Sequence, residues 1–258
     1  MSNILVLGAH PDDPELMAGG LLLRHRQQGD ETCVGYLTDG RYGGEFGDPE
    51  KVAEQRHDEA RAACEYLGAR MFWGGLEDGF LLDTPLARKV CTDIIRSAKP
   101  DLIVTHAPDD YHPDHVSCYS IVRAANALAS TSGFRSAEPA TPHLASMWLM
   151  DNLGQLNPRA TIFIDIEQVM AKKMELLAKH ASHLRWMMAQ GVDLPSLVWK
   201  QAAVRGEQSR AILAEAFEPA MKWGLQQTSM LFGTLTANRE EAGGASEHQS
   251  NCKNMGGA

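Results

Sequence analysis

Short hydrophobic runs and segments of helical periodicity alternate along the first half of the chain. Apolar runs of strand length lie at residues 3–9, 32–37, 71–73 and 101–106. Helical periodicity is found at residues 16–28, 52–67, 85–97 and 114–128. Runs rich in Val, Ile and Leu bounded by turn residues are typical of buried strands. This alternation predicts an α/β fold with a mostly parallel, doubly wound sheet flanked by helices.

The second half of the chain has a less regular pattern. Residues 144–150 and 161–165 predict strands, residues 166–183 predict a helix, and residues 197–217 predict one or two further helices. Asn, Arg, Glu, Gly, Ser and Gln dominate after residue 237, which is a composition typical of disorder. We therefore expect one α/β domain over residues 1–236 and a disordered polar tail over residues 237–258.

The net charge and the cysteine content limit the classes of function that we expect for this protein. The formal net charge of −9 argues against a nucleic-acid surface, which needs clustered Lys and Arg. The sequence has no apolar run of the roughly 18–20 residues that a transmembrane helix needs, and no secretory signal pattern. The five cysteines are scattered and form no CxxC pair, which suits a reducing compartment. We expect a cytoplasmic protein that acts on a small molecule.

Two histidine–carboxylate clusters follow predicted strands. Residues 9–13 read AHPDD after the first strand, and residues 112–115 read HPDH after the fourth. The carboxyl ends of parallel strands form the edge where ligands bind. His10 and Asp13 are close enough in sequence to chelate one ion, and His115 would complete a three-ligand set that leaves one position for water. The sequence predicts a Zn²⁺ site, although Fe²⁺ or another divalent metal accepts similar donors.

The neighbours of these donors suggest catalytic roles. Asp12 is adjacent to Asp13 and is placed either to take a proton from water at the metal or to cap the following helix. His112 lies three residues before His115, in reach to donate a proton or stabilise an oxyanion. Asp114 is placed to orient one imidazole. Among the other histidines, His106 is expected to pack beside the site.

Four histidines fall on predicted helices and are expected to be partly exposed. They are His25, His57, His180 and His183.

The two motifs resemble those of the LmbE-like or PIG-L family of zinc-dependent de-N-acetylases, which act on N-acetylglucosaminyl conjugates. The resemblance implies a Rossmann-like fold and Zn²⁺ held by His10, Asp13 and His115. It also implies roles for three further residues: Asp12 as general base, His112 as general acid or oxyanion partner, and Asp114 as the group that orients His112.

The resemblance extends to residues outside the two motifs. Arg56 and Asp78 match family positions that face the substrate. Arg41 stands after the glycine of the Thr-x-Gly loop, where many members have Glu, so the family's sugar specificity is not carried over.

These residues support two enzymatic hypotheses. The first is hydrolysis of an N-acetyl or other N-acyl group on an amino-sugar conjugate, with Asp12 as base. The alternative is a metal-dependent hydratase of an unsaturated carboxylic acid on the same scaffold, because Arg41 near the pocket would favour an anionic substrate. A dinucleotide-binding protein is disfavoured, because the turn after the first strand is not GxGxxG. A homo-oligomer is a further expectation.

Overall fold

In the computed structural model, which describes residues 2–44 and 47–220, a seven-stranded sheet forms the centre of the fold. Its strands are β1 (Asn3–Gly8), β2 (Glu31–Thr38), β3 (Arg70–Leu76), β4 (Leu102–Thr105), β5 (Ser146–Met150), β6 (Ile162–Asp165) and β7 (Ala214–Pro219). The strand order is β3-β2-β1-β4-β5-β7-β6. The first five strands pair in parallel, whereas β7 runs antiparallel to both β5 and β6.

Helices cover both faces of this sheet. They are α1 (Asp13–Gln27), α2 (Pro49–Leu67), α3 (Pro85–Ala98), α4 (Pro113–Ala129), α5 (Met170–Leu177), α6 (Ala181–Ala189) and α7 (Leu194–Ser209). Alternate residues of β1 point to opposite faces, as the two-residue period of a strand requires. Ile4 and Val6 join a core with α1, α2, α5 and α7, whereas Leu5 and Leu7 join a core with α3 and α4. The predicted α/β architecture is therefore confirmed.

The prediction of helix up to residue 217 is wrong. Helix α7 ends at Ser209, and residues 214–219 form β7 between β5 and β6. Ala and Glu in this segment have high helix propensity, but tertiary pairing with two strands overrides that preference. The strand buries Glu215, whose two carboxylate oxygens accept hydrogen bonds of 2.7 Å from the backbone amides of Gly20 and Leu21 in α1.

The single helix predicted over residues 166–183 is also wrong. A short 3₁₀ turn at Glu167–Val169 leads into α5, which ends at Leu177, and α6 begins only at Ala181. At the break, the fully buried ring of His180 has its Nε2 3.4 Å from a carboxylate oxygen of Glu15, which is also fully buried. This tertiary contact turns the chain, and it brings the start of α6 to the carboxyl edge of the sheet.

Two further expectations can be compared with the described residues only in part. The predicted domain limit at residue 236 and the predicted tail at residues 237–258 lie outside them. Within residues 2–44 and 47–220, each helix is too short or too polar to cross a bilayer.

Candidate active site

The two predicted clusters meet at the switch point of the sheet. Strands β1 and β4 are parallel neighbours, yet the chain leaves β1 toward β2 on the opposite side. Such a reversal of strand order opens a crevice at the carboxyl ends of the two strands, where α/β proteins bind ligands. His10 and the two aspartates follow β1, and His112 is the N-cap of α4 in the connection after β4. The predicted convergence of the motifs therefore occurs.

The turn after β1 holds Asp12 in a strained backbone conformation. Asp12 has φ of 126° and ψ of −23°, and non-glycine residues with such φ values cluster at functional sites. Its side chain makes no capping hydrogen bond to α1, so the capping role considered for it is not observed. The Asp13 carboxylate instead accepts a 2.7 Å hydrogen bond from the His10 backbone amide. The turn thus directs two adjacent carboxylates to different partners.

Ring nitrogens of His10 and His115 lie close to each other and to the Asp13 carboxylate. His10 Nδ1 lies 3.3 Å from His115 Nε2 and 3.3 Å from Asp13 Oδ2, whereas His115 Nε2 lies 3.3 Å from the other carboxylate oxygen, Asp13 Oδ1. Ligands about 2.0–2.1 Å from a tetrahedral ion are about 3.3 Å from one another. These side chains therefore fit a divalent metal ion with one position left for a further ligand.

Three groups of the described side chains have donor atoms that all lie within 4.8 Å of one another, and each joins one or two of His10, Asp13 and His115 to other residues. These groupings are His10 with His112 and His115, Asp13 with His106 and His115, and His10 with Asp78 and Asp114. Nε2 of His10, rather than Nδ1, approaches Asp78 and Asp114, at 3.1 and 3.3 Å. An ion on Nδ1 would leave Nε2 to donate to these carboxylates, which is how partners of a metal-bound histidine usually orient it.

His115 has a comparable partner that the sequence did not identify. Its Nδ1 lies 3.0 Å from Asp110 Oδ1, whereas its Nε2 approaches His10 and Asp13. Burial alone would lower the pKa of His115, but Asp13 and Asp110 reverse the effect and raise this pKa to about 9. The two carboxylates therefore favour positive charge at this position.

His106 packs against the donor set, as expected. Its ring stacks on that of His115 with centroids 3.8 Å apart. Its Nε2 lies 3.1 Å from Asp13 Oδ2 and accepts a 3.0 Å hydrogen bond from the Ala9 backbone amide. Burial, helped by repulsion from His115, lowers the pKa of His106 to about 4, so this ring is neutral near pH 7.

The predicted pairing of Asp114 with His112 is not observed. The Asp114 carboxylate accepts a 2.8 Å hydrogen bond from the Gly79 backbone amide and approaches His10, because the N-terminal turn of α4 faces the loop after β3. The Asp114 backbone amide, and not the carboxylate, orients His112 by donating to its Nδ1 at 3.2 Å. Since Nδ1 accepts, a neutral His112 ring carries its proton on Nε2.

Arg56 does not face an open substrate pocket. Its side chain is 1% exposed, and its Nη2 donates a 2.9 Å hydrogen bond to Asp12 Oδ1 and another bond to the Pro11 carbonyl. Nη1 donates to the Gly43 carbonyl at 2.8 Å. A Cβ on Gly40, whose φ is +67°, would lie 3.1 Å from Arg56 Nε. The glycine-rich loop therefore encloses Arg56, whose guanidinium binds Asp12 Oδ1.

The two other predicted substrate-binding residues differ in their positions. Asp78 is part of the cluster, since it contacts His10 and accepts a 3.0 Å hydrogen bond from the Tyr42 backbone amide. Arg41 is not brought to the cluster. Its guanidinium lies 2.7 Å from Asp39, which follows β2, and 2.9 Å from Glu50 in the first turn of α2.

His183 is a residue of the site that motif analysis missed. Its Nε2 lies 3.4 Å from Asp12 Oδ2, and its Nδ1 lies 2.6 Å from Arg56 Nη1. The expectation that His25, His180 and His183 are partly exposed is wrong for the first two, which are fully buried. No local pattern in the sequence marks His183, since its partners Asp12 and Arg56 lie far from it in the chain.

Exposed aromatic rings flank the donor set. Tyr42 and Phe80 are 48% and 66% exposed and contact each other edge to face, with centroids 6.3 Å apart. Both adjoin residues of the site, because the Tyr42 amide binds Asp78 and the Gly79 amide binds Asp114. Tyr111, which is 61% exposed, lies on the other side, with its ring 6.0 Å from that of His115.

Comparison with known proteins agrees with this geometry. Residues 5–126 match the family PIG-L, described as GlcNAc-PI de-N-acetylase. The matched region contains β1, β4 and both motifs. The chain carries a PIG-L (LmbE-like) family domain over these residues, which confirms the resemblance seen in the sequence.

Relatives with curated names are enzymes of two kinds. A probable N-acetyl-α-D-glucosaminyl L-malate deacetylase 2 of Bacillus subtilis is 26% identical over 236 residues, which cover 87% of this chain and 97% of the relative. A 4-oxalmesaconate hydratase of Pseudomonas putida is 29% identical over 145 residues, which cover 53% of this chain and 56% of the relative.

The fold is also found in solved structures. The conserved protein TT1542 from Thermus thermophilus superposes with a TM-score of 0.75 at 23% identity, over 86% of this chain and 95% of that protein. At this identity the superposition establishes the shared fold.

Proposed function

We propose that this protein is a metal-dependent amidohydrolase that removes an N-acetyl or other N-acyl group from an amino-sugar conjugate or a related small molecule. The observation that carries the proposal is the close approach of His10, Asp13 and His115, whose nitrogen and oxygen atoms lie 3.3 Å apart in pairs, next in sequence to the carboxylate of Asp12. Zn²⁺ is the proposed ion, and Fe²⁺ is the main alternative, since both accept His and Asp donors.

The bound ion would be held by His10, Asp13 and His115. There it would act as a Lewis acid and would lower the pKa of bound water from about 15.7 toward about 7. Asp78, Asp110 and Asp114 would hold the two histidines in place through their other ring nitrogens.

Asp12 is the proposed general base. Its Oδ1 is bound by Arg56, whereas its buried Oδ2 has no hydrogen-bond partner among the described residues. A buried carboxylate oxygen without a partner is costly unless a ligand or water satisfies it. Oδ2 is therefore the atom that would accept a proton from the attacking water.

His112 is the proposed oxyanion partner. Its Nδ1 accepts from the Asp114 amide, and burial together with His10 lowers its pKa. The ring is therefore neutral near pH 7 with its proton on Nε2. This N–H would stabilise the oxyanion that forms on the amide carbonyl, and the amine would leave after its nitrogen takes up the proton that Asp12 accepted from the attacking water.

The surroundings of the site favour a neutral, sugar-like substrate over a polyanionic one. Arg56 and Arg41 are both bound to carboxylates. Acidic side chains that adjoin His10 would also favour a product that carries an ammonium group. The exposed rings of Tyr42, Phe80 and Tyr111 suit the apolar faces of a sugar ring, as aromatic groups in ligand sites commonly do.

The hydratase hypothesis stays as the second candidate because of the match to 4-oxalmesaconate hydratase. An enoate substrate would need a cationic partner for its carboxylate. Release of Arg41 from Asp39 and Glu50 would supply one, at the cost of two ion pairs.

The test is acetate release by the zinc-loaded protein from a panel of N-acetylated amino sugars and their conjugates, with an enoate panel in parallel. Asp12→Asn is expected to keep its metal and to lose at least about 100-fold in turnover. Asp109→Asn, which changes an exposed aspartate outside the cluster, serves as the matched control. Unchanged turnover in Asp12→Asn would contradict the assigned base. Turnover of an enoate without acetate release would favour the hydratase.

The proposals on location and assembly have separate support. Cys33, Cys64, Cys91 and Cys118 are free and buried, which is typical of proteins from a reducing compartment, and we propose a cytoplasmic protein on this basis. Homo-oligomerisation is also a proposal, and light scattering on the purified protein tests it.

A further inference from the structure

The ring of His183 lies between Arg56 and Asp12. Nδ1 is 2.6 Å from Arg56 Nη1 and 2.7 Å from the Gly43 carbonyl, while Nε2 faces Asp12 Oδ2 at 3.4 Å. Arg56 Nη1 also donates to the Gly43 carbonyl at 2.8 Å. His183 therefore touches both the guanidinium that binds Asp12 and the carboxylate itself.

Two contacts bear on which nitrogen of His183 carries the proton. A guanidinium only donates hydrogen bonds, so Nδ1 accepts if it pairs with Arg56 Nη1 at 2.6 Å, whereas it donates if it pairs with the Gly43 carbonyl at 2.7 Å. Arg56 Nη1 has two hydrogens, one for Nδ1 and one for the Gly43 carbonyl, and it can therefore serve both acceptors. Burial lowers the pKa of His183, and in a neutral ring whose Nδ1 accepts, the one proton is on Nε2. Nε2 lies 3.4 Å from the oxygen of Asp12 that has no hydrogen-bond partner among the described residues.

We propose that His183 is a positioning residue for Asp12, with Arg56 fixing its tautomer so that its Nε2–H holds Oδ2 in the orientation needed by the general base. Oδ1 would be held by Arg56 and Oδ2 by His183, which together fix the plane of the carboxylate. An oxygen has two lone pairs, so Oδ2 still accepts a second hydrogen bond from water. The assignment rests on the proposed role of Asp12.

The position of His183 in the chain makes this assignment distinct from the family motifs. Residues 5–126 match the family, and His183 lies outside them, on α6. Two neighbouring contacts fix the start of α6: Ser182 binds Glu59 through its amide at 2.9 Å and its hydroxyl at 2.7 Å, and His180 contacts Glu15. The second half of the chain therefore contributes the His183 ring to a site whose other residues lie in the first half.

The first experiment measures the tautomer and needs no substrate. In two-bond ¹⁵N–¹H spectra of ¹⁵N-histidine-labelled full-length protein at about pH 7.5, His183 is expected to be neutral with its proton on Nε2. The His183→Gln spectrum assigns its signals. Asp12→Asn is expected to shift these signals, whereas Asp109→Asn is not. A proton on Nδ1, or no response to Asp12→Asn, would overturn the proposal.

The second experiment separates positioning from a general structural role. The amide nitrogen of Gln replaces Nε2 of histidine approximately, whereas that of Asn replaces Nδ1. If the Nε2–H matters, His183→Gln is expected to keep kcat within about threefold, and His183→Asn to lose at least about tenfold with little change in KM. His143→Asn, at an exposed histidine, controls for the substitution. Metal content and Tm are measured for each variant.

The outcomes distinguish this inference from the proposed function. Equal kcat in the Gln and Asn variants, or a greater loss in Gln, would overturn the role of Nε2–H. If the wild-type protein releases no acetate from any substrate, the proposed function fails. The spectra still decide the His183–Asp12 contact in that case, since they require no turnover.

Discussion

Arg56 Nη2 lies 2.9 Å from Asp12 Oδ1, and both side chains are almost fully buried. The arginine is therefore bound behind the proposed base and is not free to bind substrate. A buried charge pair of this kind is strongly destabilised when one partner is removed, because the other is left without compensation. The pair connects α2 to the turn after β1, and it explains why the glycine-rich loop folds back over α2.

Replacement of Arg56 tests this relationship. Arg56→Met is expected to lower kcat for acetate release at least about tenfold while the metal is retained, because the Asp12 carboxylate loses its fixed orientation. Arg56→Lys should recover only part of the activity, since one ammonium cannot contact Asp12, Pro11 and Gly43 in the geometry of a planar guanidinium. Arg61→Met, on an exposed face of the same helix, is the control. A normal kcat in Arg56→Met would contradict the argument.

Metal content of variants distinguishes the possible donor sets. Asp13→Ala and His115→Ala are expected to lose the ion on dialysis, whereas His112→Ala is expected to keep it. Chelation of the wild-type protein should lower its Tm, because an ion that binds the folded state stabilises it by mass action. The measurement is elemental analysis together with thermal unfolding. Loss of metal from His112→Ala with retention in Asp13→Ala would instead favour the grouping of His10, His112 and His115.

The buried pair of Lys173 and Glu215 predicts a large effect on stability. Lys173 Nζ lies 2.6 Å from Glu215 Oε1, and the two side chains are 2% and 5% exposed. Lys173→Met is expected to lower the free energy of unfolding by about 3–5 kcal/mol, since it leaves a buried carboxylate without its cation.

The matched control is the exposed pair of Lys89 and Asp93, whose Nζ–Oδ2 distance is also short at 2.7 Å. Lys89→Met should cost less than about 1 kcal/mol. Urea denaturation measures both variants. Equal effects of the two substitutions would show that burial does not decide the energy of the Lys173 pair.

His25 predicts a pH dependence of stability on the acidic side. Burial lowers its pKa below the ordinary value of 6.5, although Asp30 opposes the shift. As the pH falls through about 6.5, the unfolded chain takes up a proton that the folded protein does not, so the free energy of unfolding decreases.

His25→Gln should therefore make the loss of stability between about pH 6.5 and pH 5 less steep. Urea denaturation at several pH values is the measurement, and His143→Gln, at an exposed histidine, is the control. The same slope in His25→Gln and the wild-type protein would exclude the contribution of His25.

Local sequence patterns were sufficient for β1 to β6, although not for β7, and for the convergence of the two motifs. The runs that became β1 and β4 are apolar and of strand length; the first motif follows β1 directly, and the second follows β4 after a short loop. Parallel strands place such segments at one edge, so the approach of His10 to His115 follows from local pattern and topology together.

The contacts that the sequence did not predict join residues far apart in the chain. His183 reaches Asp12 from the start of α6, which follows a break in the helix at the buried His180. The sequence did not predict which groups the Arg56 side chain binds, because Asp12, Pro11 and Gly43 surround it only in the folded protein. Such contacts leave no periodicity in the sequence, so only the structure reveals them.

Glu215 joins the beginning of the described chain to its end. The amides of Gly20 and Leu21 in α1 bind a carboxylate that lies 195 and 194 residues later in the chain. A ribosome would synthesise that carboxylate only after nearly all of the described residues. The helix that follows Asp12 and Asp13 therefore lacks these two acceptors until β7 has been made.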